Sequence, residues 1–213
     1  MVLWRMVLFA VLLLYSCITQ GAVTGTSVFV REGKDLFLEL QESVTLDEYG
    51  QLFWRYNGKS NIAKISHVQE QILPRYFGRV QVRNYSLHLK GLTVDDSGHY
   101  DAHVSGEEEK RVAAYKVTVQ TPVSSVEMTV DSRISDSCNL TANCSSQDAQ
   151  ISSTIRCDNQ TCTLEGGERS EDTASATSLH VYLVNSSIVC NYSNKVSWAV
   201  KIQMVEDLCT KHD

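Results

Sequence analysis

Asp96, Ser97 and His99 fall within a stretch of four residues, and an acid, a hydroxyl and an imidazole are the groups that nucleophilic acyl transfer uses. Their setting argues otherwise. They sit in "LTVDDSGHYDAHV", Leu92 to Val104, where the Asp-Ser-Gly cluster serves a turn before the run His99 to Val104. The six histidines, His67, His88, His99, His103, His180 and His212, show no metal-ligand spacing, and neither a GxSxG elbow nor a glycine-rich phosphate loop occurs. The sequence reads as a non-enzyme without cofactor, metal or small-molecule substrate.

Cysteine offers the second kind of chemistry. The chain opens with "MVLWR" and an apolar run of ten residues, Met6 to Tyr15. That run is too short for a span of about 20 residues. With the small residues of "SCITQGA" after it, residues 1–21 read as a signal peptide cleaved near Gly21 or Ala22, a signal anchor being the alternative. Setting aside Cys17, six of the seven cysteines remain: Cys138, Cys144, Cys157, Cys162, Cys190 and Cys209. An even number in a secreted chain implies disulfides, for which six cysteines allow 15 connectivities. A zinc site would want paired CxxC units, which are missing. Asn84, Asn139, Asn143, Asn159, Asn185 and Asn191 each begin an N-x-S/T acceptor tripeptide for glycosylation.

The elements that would position these residues are strands. At 213 residues the chain has room for two domains of about 100 residues after a leader. Its net charge of -6, from 19 basic and 25 acidic residues without a basic stripe, argues against nucleic-acid binding. "KDLFLELQ" places Leu36, Leu38 and Leu40 on one face, and "QLFWRYNG" opposes Leu52, Trp54 and Tyr56 to Phe53 and Arg55. "YFGRVQVR" and "YSLHLKG" read as a hairpin. "VAAYKVTVQ" directs Ala113, Tyr115, Val117 and Val119 inward and Val112, Ala114 and Lys116 outward. A core tryptophan, Trp54, followed by a corner tyrosine, Tyr100, marks a variable-type immunoglobulin sandwich, with Arg79 and Asp96 in the places of its acid–base pair. The inter-sheet disulfide is missing at both ends: Leu40 and Ala102 stand where the cysteines would.

This combination, carried by "QLFWRY", "FGRVQV" and "LTVDDSGHYDAHV" with a cysteine-rich second half, resembles the ectodomains of the signalling lymphocytic activation molecule (SLAM) family, its small two-domain ligands in particular. The resemblance implies an all-β fold of two tandem immunoglobulin-like antiparallel sandwiches: a variable-type domain at 22–121 and a second-set domain at 122–213. It also implies bridges Cys144–Cys190 and Cys138–Cys209. Cys157 and Cys162 depart from the family pattern, and a hairpin staple between them is the expected use.

The resemblance implies, further, a protein partner of the same family, homophilic or heterophilic, bound through the G-F-C-C′ face of the first domain. Alternation supplies Phe53, Arg55, Asp101 and His103 to that face, and the F–G loop adds Glu107, Glu108, Glu109, Lys110 and Arg111. Lys116 joins from the last strand and Lys64 from "NIAKIS", its direction open. If Cys144 and Cys190 point inward, Asn143 and Asn191 point outward. No apolar run follows Cys209, so the expectation is a secreted protein or one on the external side of the plasma membrane, an immune adhesion or recognition glycoprotein. A soluble decoy ligand and a secreted structural or inhibitory immunoglobulin-type protein are the alternatives.

Overall fold

The computed structural model describes residues 24–106, 108–134, 138–147, 149–157, 161–167, 169–172 and 176–209. The expected signal peptide at 1–21, Glu107 and the expected acceptor Asn159 lie outside them. The strands up to Gln120 are β1 (Thr26–Arg31), β2 (Leu36–Leu38), β3 (Gln51–Tyr56), β4 (Ser60–Ser66), β5 (Glu70–Ile72), β6 (Val80–Arg83), β7 (Ser86–Leu89), β8 (Gly98–Ser105) and β9 (Lys110–Gln120). They form a six-stranded sheet in the order β1-β9-β8-β3-β4-β5 and a three-stranded sheet in the order β2-β7-β6. Strands β10 (Glu127–Ile134), β11 (Cys138–Ser145), β12 (Gln150–Cys157) and β13 (Cys162–Glu165) make a third sheet. Strands β14 (Arg169–Asp172), β15 (Thr177–Val184), β16 (Ser187–Ser193) and β17 (Trp198–Met204) make a fourth. Among the described residues, no sheet mixes strands from before and after Gln120. Grouped by contact, the described residues fall into two compact units, one of 24–27, 38–87 and 99–116 and one of 28–37, 88–98 and 117–209.

Alternation decides which side chains are buried. Leu52, Trp54, Tyr100 and Ala102 are enclosed, whereas Phe53, Arg55, Asp101 and His103 between them are only half-buried. Trp54 Nε1 donates to the carbonyl of Tyr85 at 2.8 Å, tying β3 to the β6–β7 turn without any cysteine. Asn84 and Tyr85 both lie in the left-handed region (φ 48° and 66°), as a two-residue hairpin turn of the primed type requires.

Two expectations change. Strand β2 ends at Leu38, so Leu40 lies beyond it and is half-buried, and Leu36 and Leu38 are the leucines that β2 encloses. Val112 and Ala114 are not outward but buried. The physical reason is a cover over the edge of β9. The backbone N–H groups of Gln41 and Glu42 donate to the Val112 carbonyl (3.0 and 3.2 Å), and Gln41 Oε1 accepts from the Ala114 N–H (2.9 Å).

Beyond Gln120 the core gathers Leu140, Ala142, Cys144, Ile155, Leu179, Val181, Ile188, Cys190 and Tyr192. Cys144 pairs with Cys190 across the two sheets, Cys138 with Cys209, and Cys157 with Cys162 where β12 and β13 begin to pair.

Candidate partner-binding face

Strand β3 lies between β4 and β8, and its register fixes the face. Phe53 stands opposite Lys64 on β4 and His103 on β8, and Arg55 stands opposite Asp101. Directly opposed residues share one side of a sheet. Lys64 therefore joins the face, its Nζ 5.9 Å from the Phe53 ring centre, and the Arg55 guanidinium lies 5.5 Å from the same ring. An aromatic ring between two cations is stabilised by its negative faces.

The hairpin of β8 and β9 brings in the opposite charge. Glu109 accepts from Arg55 Nη1 at 2.6 Å and has His103 Nδ1 3.0 Å away, and Arg111 lies 3.8 Å from Asp101. The Arg55 hydrogen bond, first, holds the Glu109 carboxyl below its ordinary value. Burial, first, and the Arg55 charge, second, hold the His103 imidazole below its ordinary value against the pull of Glu109 and Asp101. The result is a row of linked charges, partly open to solvent, around one aromatic ring.

The structure thus brings together Phe53, Arg55, Lys64, Asp101, His103, Glu109 and Arg111. Lys110 is engaged elsewhere, 2.6 Å from Glu42, a partner from the loop after β2 that strand patterning does not reveal. Glu108 is exposed in the β8–β9 turn, and Lys116 is exposed further along β9. Of the acid–hydroxyl–imidazole trio, the acid and the hydroxyl serve local backbone geometry and His99 is exposed, held through its backbone. Asp96 Oδ2 accepts from the Thr93 N–H (2.8 Å), Ser97 Oγ from the Val119 N–H (2.9 Å), and the His99 backbone pairs with Asn57. Among the described residues, no group of three His, Cys, Asp or Glu side chains is arranged to hold a metal ion.

None of the described acceptor asparagines is on β3, β4, β8 or β9. Asn84 and Asn185 occupy exposed hairpin turns, Asn185 and Ser186 again having positive φ (46° and 57°). On β11, Asn139 and Asn143 alternate with buried Leu140, Ala142 and Cys144 and so project outward. Asn143 Oδ1 accepts from Ser152 Oγ, and Asn139 Oδ1 from Arg156 Nε.

No family model matches the chain. Among solved structures, the CD2-binding domain of CD58 (lymphocyte function-associated antigen 3) is similar at a TM-score of 0.54 and 13% identity, over 89% of this chain and 100% of that one. Murine CEACAM1b is similar at a TM-score of 0.55 and 19% identity, over 82% of this chain and 92% of that one. The fold is immunoglobulin-like. Its two sandwiches follow one another in tandem, all-β and antiparallel. Among the described residues, no helix is long and apolar enough to cross a membrane.

Proposed function

We propose that this chain is an immune-type adhesion or recognition ectodomain, secreted or held outside the cell, whose first domain (22–121) binds a SLAM-family protein or a second copy of itself. The contact is the β9-β8-β3-β4 face, and the second domain (122–213) is a glycosylated spacer. The observation that carries this reading is the linked charge set around Phe53. Side chains of both signs share one sheet face with an aromatic ring, which suits recognition by charge complementarity. The resemblance to the SLAM family in "QLFWRY" and "LTVDDSGHYDAHV" supports it. So does the fold shared with CD58, whose similar domain is described as CD2-binding.

The reading is tested by immobilising the chain and measuring binding to a panel of SLAM-family ectodomains and to itself. Arg55→Glu and Asp101→Lys each invert a charge at the centre of the face, and each is expected to weaken binding by about tenfold or more, that is at least ~1.4 kcal/mol. The paired reversal recovers part of the loss only if the two charges act on each other rather than on the partner. Binding that persists in both single variants, with unfolding midpoints unchanged, would overturn the assignment of the face.

A further inference from the structure

Strand β17 carries its apolar side chains on the side away from the core. Trp198, Val200, Ile202 and Met204 alternate along it with Ala199, Lys201 and Gln203. The register sets Ala199 opposite Tyr192, Lys201 opposite Cys190 and Gln203 opposite Ile188, and those three partners are buried. Opposed residues share a face, so Ala199, Lys201 and Gln203 are on the core-facing side of β17, Lys201 still exposed at the sheet edge, and the apolar set is on the other side. Exposure agrees: 76% for Trp198, 58% for Ile202, 45% for Met204 and 43% for Val200. β17 is also the edge of its sheet. A lysine turned inward at an edge guards against strand addition, which accounts for Lys201. It does not account for four large apolar side chains in a row in water, which mark a surface that something covers.

The adjoining strand holds a tether at the right place. Asn191 on β16 stands opposite Val200, and Ser193 stands opposite Trp198. Asn191-Tyr192-Ser193 is an acceptor tripeptide whose central Tyr192 is buried while Asn191 and Ser193 face out. Asn191 Oδ1 is enclosed without a hydrogen-bond partner among the described residues, so the carboxamide has no internal role through that atom. On the side away from β17, Asn191 and Ser193 line a depression of about 440 Å³ with Arg169, Glu171, Ser178 and His180. Asn191 therefore stands on the seam between a polar hollow and an apolar row.

We propose that an N-linked oligosaccharide on Asn191 is the cover of the β17 outer face, its first sugars resting on Val200 and Trp198. In the attachment step a bond forms between Asn191 Nδ2 and the anomeric carbon of an N-acetylglucosamine. The bond from that carbon to a lipid-linked diphosphate breaks, the diphosphate leaves, and the amide gives up a proton. The ring so attached is amphipathic. Its axial C–H groups make apolar faces suited to the β17 row, and its hydroxyl and acetamido rim suits the polar hollow. Opposed Cβ atoms lie about 5 Å apart, so a sugar on Asn191 starts beside Val200. A tethered ligand also keeps a local concentration that a free partner does not match. This inference is independent of the Phe53 face, and the charge reversals there leave it untouched.

The test uses the chain secreted from a glycosylating eukaryotic host. Occupancy of Asn191 is read by glycopeptide mass spectrometry, and cover of the face by acrylamide quenching of tryptophan fluorescence. Trp4 leaves with the leader in the secreted chain, its absence checked by intact mass, and Trp54 is fully buried, so quenching reports on Trp198. We expect Asn191 to be occupied. Trimming to the first sugar leaves quenching low, and complete enzymatic removal from the folded protein raises the quenching constant about twofold. Ser193→Ala gives the same rise, and Ser193→Thr, which keeps the acceptor tripeptide, does not. A bare Asn191, or quenching unchanged by complete removal, overturns the proposal. A bare Asn191 on a dimer that Ile202→Ser splits also overturns it, and assigns the face to a second copy.

Discussion

His103 makes the proposed face sensitive to pH in a calculable direction. Burial, and then the Arg55 charge, hold its imidazole below the ordinary value of 6.5. Around it stand Phe53 and Arg55 on β3 and Asp101, Glu109 and Arg111 on β8, the β8–β9 turn and β9. Between the folded value and 6.5 the unfolded chain binds the proton more readily, so stability rises with pH across that window. The contribution of neutral His103 is complete above 6.5 and is lost as the pH falls below it. Glu109 acts in the same sense lower down. Its carboxyl is held below 4.5 chiefly by the Arg55 hydrogen bond, and its contribution is lost as the pH falls below that value. His103→Gln is expected to flatten the decline of the unfolding midpoint just below pH 6.5 while leaving the decline below 4.5 in place. Equal slopes in both proteins across the upper window would show that His103 is not the group responsible. The outward direction of His103 and Asp101 was legible in the sequence, because Tyr100 and Ala102 alternate with them. The closure of Glu109 onto Arg55 was not, because the two are 54 residues apart and only the β8–β9 hairpin brings them together.

Among the elements, β3 and β8 were the most legible, since each alternates cleanly and carries a marker residue, Trp54 or Tyr100. Strand β9 shows where alternation stops being enough. Its pattern puts Val112 and Ala114 in solvent, yet a segment some 70 residues earlier covers the strand edge there through Gln41 and Glu42. Nothing local in "RVAAYKV" announces such a cover. Strand β17 shows a different limit: its period of two identifies a strand but does not say which set faces the core, and the register decides against the apolar one. The cover of β9 makes a prediction at this scale. Gln41 accepts from the Ala114 N–H and also donates to its carbonyl at 3.4 Å, standing in for a missing strand partner. Gln41→Ala removes both bonds and is expected to cost about 1–2 kcal/mol in chemical denaturation, with faster amide exchange at Ala114. Gln41→Glu keeps the acceptor and is expected to retain the Ala114 protection. Exchange unaffected in Gln41→Ala would show that burial by neighbouring side chains, and not this bond, shields the strand.

At the scale of the whole molecule, the two sandwiches are held closed in different ways. Residues 22–137 contain no cysteine, and the enclosed Leu38, Leu52, Trp54, Leu87, Tyr100 and Ala102, with the Trp54–Tyr85 hydrogen bond, do the work of the absent bridge. This was legible as a concerted loss, although the structure makes Leu38 rather than Leu40 the leucine that β2 encloses. After Gln120 three disulfides close loops with sequence separations of 71, 46 and 5. On the chain-entropy account such loops are worth about 4 kcal/mol for each of the longer two and about 2 kcal/mol for the short one, less than additively because they overlap. Losing those constraints exceeds the margin of an ordinary domain, about 5–15 kcal/mol, only if most of them go together. A thiol reductant added to the native chain is therefore expected to act unevenly. Hydrogen exchange followed by mass spectrometry should show protection collapsing in peptides from β11, β12 and β16, while peptides from β3, β7 and β8 keep theirs. Because the proposed contact residues all lie before Cys138, partner binding by the reduced chain should also persist. Simultaneous loss of protection in both halves would mean that the first sandwich depends on the second for its stability, and that its aliphatic core does not replace the missing bridge alone.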